Sequence, residues 1–191
     1  MGIESLPTLS KVSRMKNTTN QDRQMLEAMP KDELLALFSL HIRNLWRVDG
    51  LYFLSIEKKF GTEAATEIDT NCWKLMGKIE ANDLKALLGI QQNSISSLMY
   101  ALRHTSWALD HPNKEVEVSE KKGVFRVVEC HTQLTRIRKG LDVFPCKNVR
   151  FTYLKAFAEE IDPNFEVKCR FCPPSERPAN VWCEWEFTLR K

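Results

Sequence analysis

The sequence predicts an α+β fold: N-terminal antiparallel helices packed on a four-stranded, mainly antiparallel sheet with two further helices. Three observations predict it. Apolar residues recur at helical spacing from about residue 30 to residue 102. Short strand-like runs appear only beyond residue 113, in two pairs separated by a helical stretch. The breaks between the helices are only a few residues long, which makes sequential helices antiparallel neighbours.

Residues 1–29 are polar and mixed in charge, and read as a flexible tail with a short helix around Gln24–Met29. The helical half is expected over 30–110. Pro30-Lys31-Asp32 opens its first helix with Asp32 as the cap. Leu34, Leu37, Phe38, His41, Leu45, Val48, Tyr52 and Ile56 make one stripe, with Leu35, Ile42, Trp46, Phe53 and Phe60 beside it. Two stripes predict a wide buried face. Gly61 stops that helix, and a second runs from Thr62-Glu63 to Gly89. A third starts near Asn93 and carries Ile95, Leu98, Met99 and Leu102, with Trp107 packing back on the bundle.

His111-Pro112-Asn113-Lys114 breaks the pattern, so an α+β half is expected over 111–191, the two halves forming one compact unit. A strand at Glu115–Val118, a turn at Lys121-Lys122-Gly123 and a return strand to Cys130 come first. A helix at Thr132–Lys139 and a longer one at Cys146–Ile161 follow. Asp162-Pro163-Asn164 turns into the closing hairpin. There Phe165, Val167, Cys169 and Phe171 alternate with polar residues, as do Val181, Cys183, Trp185, Phe187 and Leu189. A register with Phe171 opposite Val181 would set Cys169 against Cys183 on the buried side.

Composition excludes more than it selects. Forty-three per cent hydrophobic and 28% charged residues mark an ordinary globular chain. A net charge of +3, with no long basic run, gives no reason to expect nucleic acid. No apolar run approaches a membrane span, and the N-terminus lacks the apolar core of a signal peptide. A cytoplasmic protein is expected, in which thiols are free, metal-bound or catalytic rather than disulfide-bonded.

Five of the six cysteines therefore draw the functional reading. Cys130 and Cys146 sit at predicted helix N-termini, where N–H groups and the dipole favour a thiolate. Cys169 and Cys183 point inward from the hairpin, and Cys172 ends its strand before Pro173-Pro174. Cys130, Cys146, Cys169, Cys172 and Cys183 could converge at one end of the sheet. Four thiolates suit zinc or an iron–sulfur cluster, although a zinc ribbon would show two Cys-x-x-Cys knuckles and this chain has one. Buried cysteine also packs as a small hydrophobe, the reading preferred for Cys72. Cys146 is the candidate nucleophile.

Asp49 and Glu57 share a helix side with Phe53 between them. Buried, they could serve acid–base chemistry; paired with basic groups, they would join the two halves. His41 reads as a core histidine, and His104 and His131 lie at element ends, His131 next to Cys130. Trp46, Asp49, Phe53, Glu57, Tyr153 and Trp185 are the expected lining of a small-molecule pocket.

The run Trp46-Arg47-Val48-Asp49-Gly50-Leu51-Tyr52-Phe53, with Phe144-Pro145-Cys146, Cys169-Arg170-Phe171-Cys172-Pro173-Pro174 and Cys183-Glu184-Trp185-Glu186-Phe187, resembles a largely uncharacterised family of prokaryotic cytosolic proteins. More distantly the chain is similar to the family named for L-2-amino-thiazoline-4-carboxylate hydrolase. Its order of helices then hairpins resembles 4-vinyl-reductase-type ligand-binding domains. The hydrolase resemblance implies ring opening of a small cyclic substrate. The other implies a hydrophobic or cofactor-like ligand between helices and sheet. The expectation is thus a small-molecule-binding protein, able to form a homodimer, whose cysteine cluster holds zinc or an iron–sulfur cluster or presents reactive thiolates. A thiol-dependent hydrolase and an interaction module with inert cysteines are the alternatives.

Overall fold

The computed structural model describes residues 20–190. In order, the elements are α1 (Asn20–Ala28), α2 (Lys31–Phe60), α3 (Thr62–Leu87), α4 (Ile95–Arg103), α5 (Ser106–Asp110), β1 (Lys114–Val118), β2 (Lys122–Val127), α6 (His131–Arg138), α7 (Lys147–Ile161), β3 (Phe165–Phe171) and β4 (Cys183–Leu189). Of the expected tail, residues 1–19 lie outside the described residues, and Asn20–Ala28 is helical.

Local chemistry explains most boundaries. Pro30, not Asp32, occupies the N-cap position of α2, and its carbonyl accepts the Leu34 N–H at 3.0 Å. Proline suits a helix entry because it has no N–H to leave unbonded. Asp32 falls in the first turn, where its charge faces the positive end of the helix dipole. Gly61 stands between α2 and α3 at φ 88°, a left-handed backbone that L side chains resist. The third helix read from the sequence is α4, and the residues around Trp107 form a further short helix, α5. Ser94 Oγ accepts the Ser97 N–H at 3.1 Å to cap α4. Thr105 Oγ1 accepts the Ala108 N–H at 3.1 Å to start α5.

The four strands form one antiparallel sheet in the order β1-β2-β4-β3. Its inner face presents Phe125, Val127, Trp185 and Phe187, all buried. On β2, Arg126 bonds Glu184 and Glu117 and approaches Glu115 at 3.4 Å, tying β1, β2 and β4 together by charge. The closing hairpin has a different register from the one expected. Cys169 pairs with Trp185, Phe171 with Glu184, and an irregularity lies between. Cys183 instead pairs with Val127 of β2. The extra residue at the bulge moves Phe171 off the simple alternation, which a period-two count cannot anticipate.

Helix α7 is the axis of the packing, in contact with both α3 and β3. Gly77 lets α3 and α7 approach: a Cβ there would lie 2.6 Å from the Tyr153 carbonyl oxygen and 3.3 Å from the Phe157 nitrogen. Gly123 does the same for α4 over the sheet, where a Cβ would meet Met99 Sδ at 2.5 Å. One apolar cluster runs from Phe53 and Trp73 through Leu98, Tyr153 and Phe157 to Trp185. It crosses the boundary drawn at His111.

Helix α2 is less buried than its two stripes suggested. Phe53 is its only buried residue, whereas Phe38, Leu45, Val48 and Tyr52 are 44–69% exposed. The side facing α3, α5, α6 and Phe144 meets the body. His41 and Cys72, expected inside, are also exposed. Among the described residues, no helix is long and apolar enough to cross a membrane.

Replacing Gly77 with Ala is expected to cost about 2–3 kcal/mol, because the new methyl must push one helix backbone off the other. Gly50→Ala, where nothing lies within 4 Å, is expected to stabilise by about 0.5–1 kcal/mol. Urea unfolding midpoints at unchanged slope would read both.

Candidate functional site

The second half of α2 brings Trp46, Asp49, Gly50 and Phe53 to one side, facing α6 and the loop at Phe144. Between them lies a cavity of about 270 Å³ whose walls also include Asp69, Thr132 and Thr135. It shares Trp46, Asp49, Asp69, Asp110, Thr132 and Phe144 with a narrower recess of about 50 Å³. The recess is lined by Cys130, Cys146, Cys172, Cys183, His111 and Arg150. Its outer part is largely apolar with cations around it, among them Arg43, Arg47 and Lys139.

Arg150 follows Cys146 by one helical turn, its N–H bonded to the Cys146 carbonyl at 2.8 Å. The guanidinium lies against four aromatic rings: Trp107 at 4.8 Å, Tyr153 at 4.9 Å, Trp73 at 5.3 Å and Trp46 at 5.5 Å. Trp46 and Trp73 stack with centroids 4.7 Å apart. Both indoles are pinned, Trp46 Nε1 donating to the Ser106 carbonyl at 3.2 Å and Trp73 Nε1 to Asp49 Oδ1 at 3.1 Å. Arg150 Nη1 is enclosed and has no hydrogen-bond partner. A charged donor without an acceptor, on the wall of a recess, suits an oxygen atom of a bound molecule.

The cysteines divide by environment. Cys146 is the N-cap residue of α7. Its acidity is raised, so its pKa falls below the ordinary thiol value, first by the hydrogen bond from Cys172, against burial, and further by Arg150 and Gln133. The Cys146 and Cys172 sulfurs are 3.5 Å apart, and Gln133 Nε2 donates to Cys146 Sγ at 3.5 Å. Gln133 is itself held, with Nε2 donating to the Phe144 carbonyl and Oε1 accepting the Phe144 N–H, both at 2.9 Å. Cys172 is driven the other way and keeps its proton, being hydrogen-bonded to Cys146, Cys169 and Cys183 and buried. Cys130 also occupies a helix N-cap, at α6, but burial pushes its thiol up to about 12. The expectation of a thiolate there is reversed, because one helix terminus does not offset full desolvation. Cys169 is lowered, chiefly by Cys172 and then opposed by burial. Cys172 has one proton, however, and Cys146 has Gln133 and Arg150 besides.

Asp69 on α3 and Asp49 on α2 face this group. Burial raises both, Asp69 to about 7 with the Asp49 charge adding to the effect, while Arg150 pulls both down. Burial, followed by Arg150, takes His111 down to about 3, and its Nδ1 has no partner.

Of the residues expected to line a pocket, Trp46, Asp49 and Phe53 do. Glu57 instead forms a two-pronged pair with Arg136 of α6, at 2.8 and 2.9 Å. Tyr153 gives its hydroxyl to Glu80 Oε2 at 2.7 Å and offers only its ring to Arg150. Trp185 is fully buried under the sheet with Nε1 unpartnered. Cys130, Cys146, Cys172 and Cys183 meet around one recess, and Cys169 reaches it through Cys172. Even so, among the described residues no group of three or more His, Cys, Asp or Glu is placed to hold a metal ion. Sequence reasoning missed Arg150, Asp69, Gln133 and His111. A signal existed for two of them. Arg150 lies three, seven and eleven residues before Tyr153, Phe157 and Ile161 on the inner stripe of α7, and Asp69 lies four residues from Ala65 and Trp73. Charges in register with an apolar stripe are the mark of a buried site.

Because the folded-state pKa of Asp69 is raised, the folded protein binds that proton more tightly than the unfolded chain. Its contribution to stability is complete below about pH 4 and is lost as pH rises towards 7. At ~1.4 kcal/mol per unit the loss is at most ~4 kcal/mol, and less because solvent reaches the site. Thermal melts of Asp69→Asn should therefore decline less between pH 4 and pH 8 than those of the parent.

No curated protein and no solved structure matches the chain. A match to a protein family spans residues 27–189, which include every element from α2 to β4 and the whole cavity wall. The chain belongs to the family described as a family of unknown function, DUF6125.

Proposed function

We propose that this protein binds a small molecule with an apolar body and an oxygen acceptor at one end, and presents the Cys146 thiolate to it. The observation that carries the reading is the seating of Cys146 and Arg150, one helical turn apart, on the wall of one recess. Trp46, Phe53 and Phe144 supply the apolar part of the wall, and Arg150 Nη1 is the free donor for the oxygen. Few polar groups on an otherwise apolar wall are the usual arrangement for orienting a small ligand. Arg43, Arg47 and Lys139 near the outer opening favour the approach of an electron-rich molecule.

Within this reading Cys146 is the nucleophile, with Gln133 and Cys172 as donors to its sulfur and Arg150 as the nearby cation. Asp69, which retains a proton close to neutrality, is the acid available to a leaving group. Hydrolytic opening of a small cyclic substrate is one reaction this set could perform. The attack would break the ring bond and leave the opened substrate on the Cys146 sulfur, and a water would then release it and restore the thiol.

The test is selective alkylation. At neutral pH, iodoacetamide should label the Cys146 peptide before those of Cys72 and Cys130, and Gln133→Leu should slow that labelling by about tenfold through the lost donor. Mass spectrometry of the digested protein reads both. Labelling of the exposed Cys72 ahead of Cys146 in the parent would remove the thiolate from the proposal.

A further inference from the structure

We propose that Cys146 and Cys172 form a redox-active dithiol that reduces an organic hydroperoxide admitted to the cavity. The inference rests on the reading of Cys146 as the thiolate on the recess wall, and adds a second cysteine, a substrate class and a product. Its basis is geometric. The two sulfurs lie 3.5 Å apart, joined by a hydrogen bond, on the wall of a recess reached through an apolar cavity. The backbone also holds them together: the Lys147 N–H, at the first residue of α7, donates to the Pro173 carbonyl at 3.0 Å. Closure to a sulfur–sulfur bond of ~2.05 Å therefore asks the two sulfurs to approach by about 1.5 Å.

The rest of the recess matches the electron flow. The Cys146 thiolate attacks the terminal oxygen of ROOH, so a sulfur–oxygen bond forms as the oxygen–oxygen bond breaks. The electron pair leaves on the alkoxide RO⁻. Arg150, with Nη1 unpartnered, offers that developing charge a donor, and Asp69 delivers the proton that makes ROH. Cys146 is left as a sulfenic acid. Cys172 Sγ then attacks the Cys146 sulfur, and its own proton leaves with the hydroxyl as water. In sum, two thiols and ROOH give one disulfide, ROH and water: each sulfur loses one electron and the peroxide gains two. The apolar wall at Phe53 and Phe144 selects an organic hydroperoxide over hydrogen peroxide. An external thiol, by exchange, returns the pair to the reduced form.

Cys72 provides the internal comparison, since it is exposed and lies outside the recess, and both burial and the neighbouring Asp69 raise its pKa. The full chain, reduced and freed of reductant, is treated with one equivalent of cumene hydroperoxide. The expected result is one cumyl alcohol and the loss of two free thiols per chain, with peptide mapping joining Cys146 to Cys172. Dithiothreitol should restore both thiols. Cys172→Ser should stop at the sulfenic acid, trapped by dimedone on Cys146, and Cys146→Ser should react no faster than Cys72. The parent protein alone decides the matter if either variant fails to fold. Disulfide mapping to another pair, or thiol loss no faster than at Cys72, overturns the dithiol. Rapid alkylation of Cys146 with no disulfide formed would overturn it while leaving the small-molecule reading intact. Slow alkylation of Cys146 would bring down both.

Discussion

One enclosed guanidinium organises this molecule. Arg150 projects from α7 among rings contributed by α2, α3, α5 and α7 itself, so four helices meet on a single cation. Taking such a charge out of water is costly, and the contacts that offset the cost also fix the geometry. Each aromatic face contributes on the order of 1 kcal/mol to holding the cation, more where water is excluded. Asp49, Asp69 and Cys146 supply nearby negative charge when ionised, and Arg150 lowers the pKa of all three. The same positive charge helps keep His111 neutral. Packing and chemistry therefore depend on one side chain.

The second constraint is backbone proximity. Gly77 removes the side chain that would hold α3 away from α7, and this brings Trp73 edge-on to Tyr153 with centroids 5.5 Å apart. Glu57 and Arg136 then clamp α2 to α6 across the outer opening. Both partners are largely buried, with 15% and 8% of their side chains exposed, so neither could lose the other cheaply. For Glu57 this is the pairing with a basic group between the two halves that the sequence allowed. Its pKa is lowered chiefly by the Arg136 hydrogen bonds.

The cysteines show why position in an element is a poor guide to acidity. Cys130 and Cys146 both sit at helix N-caps, and sequence logic treats them alike. Their shifts have opposite signs. Cys146 has Cys172 as a sulfur donor, Gln133 as an amide donor and Arg150 as a nearby cation, and these outweigh burial. Cys130 gains only a backbone hydrogen bond and a weaker effect of Arg150, and burial wins. Cys172, meanwhile, serves three sulfurs with one proton, which makes it the donor rather than the nucleophile.

Residue order by itself determined the α+β class, the four strands and their pairing into hairpin units, and the clustering of cysteines near the sheet's end. These follow from period-two and 3.6-residue spacing, from Gly61 and Pro163, and from short connections, all of which act within a few residues. The hairpin register escaped it because a slip of two residues, which pairs Cys169 with Trp185 rather than with Cys183, leaves every side chain on the same face and so leaves period-two spacing unchanged. Helix α5 escaped it because its five residues are too few to show a helical period. The burial of α2 was overestimated because two apolar stripes show what could be covered, not which neighbours exist. Above all, only the tertiary structure decided that Arg150, Asp69 and Cys146, from two different helices, share one recess. Charge–charge and charge–thiol coupling acts through space over a few ångströms, and the order of residues along a chain does not encode that distance.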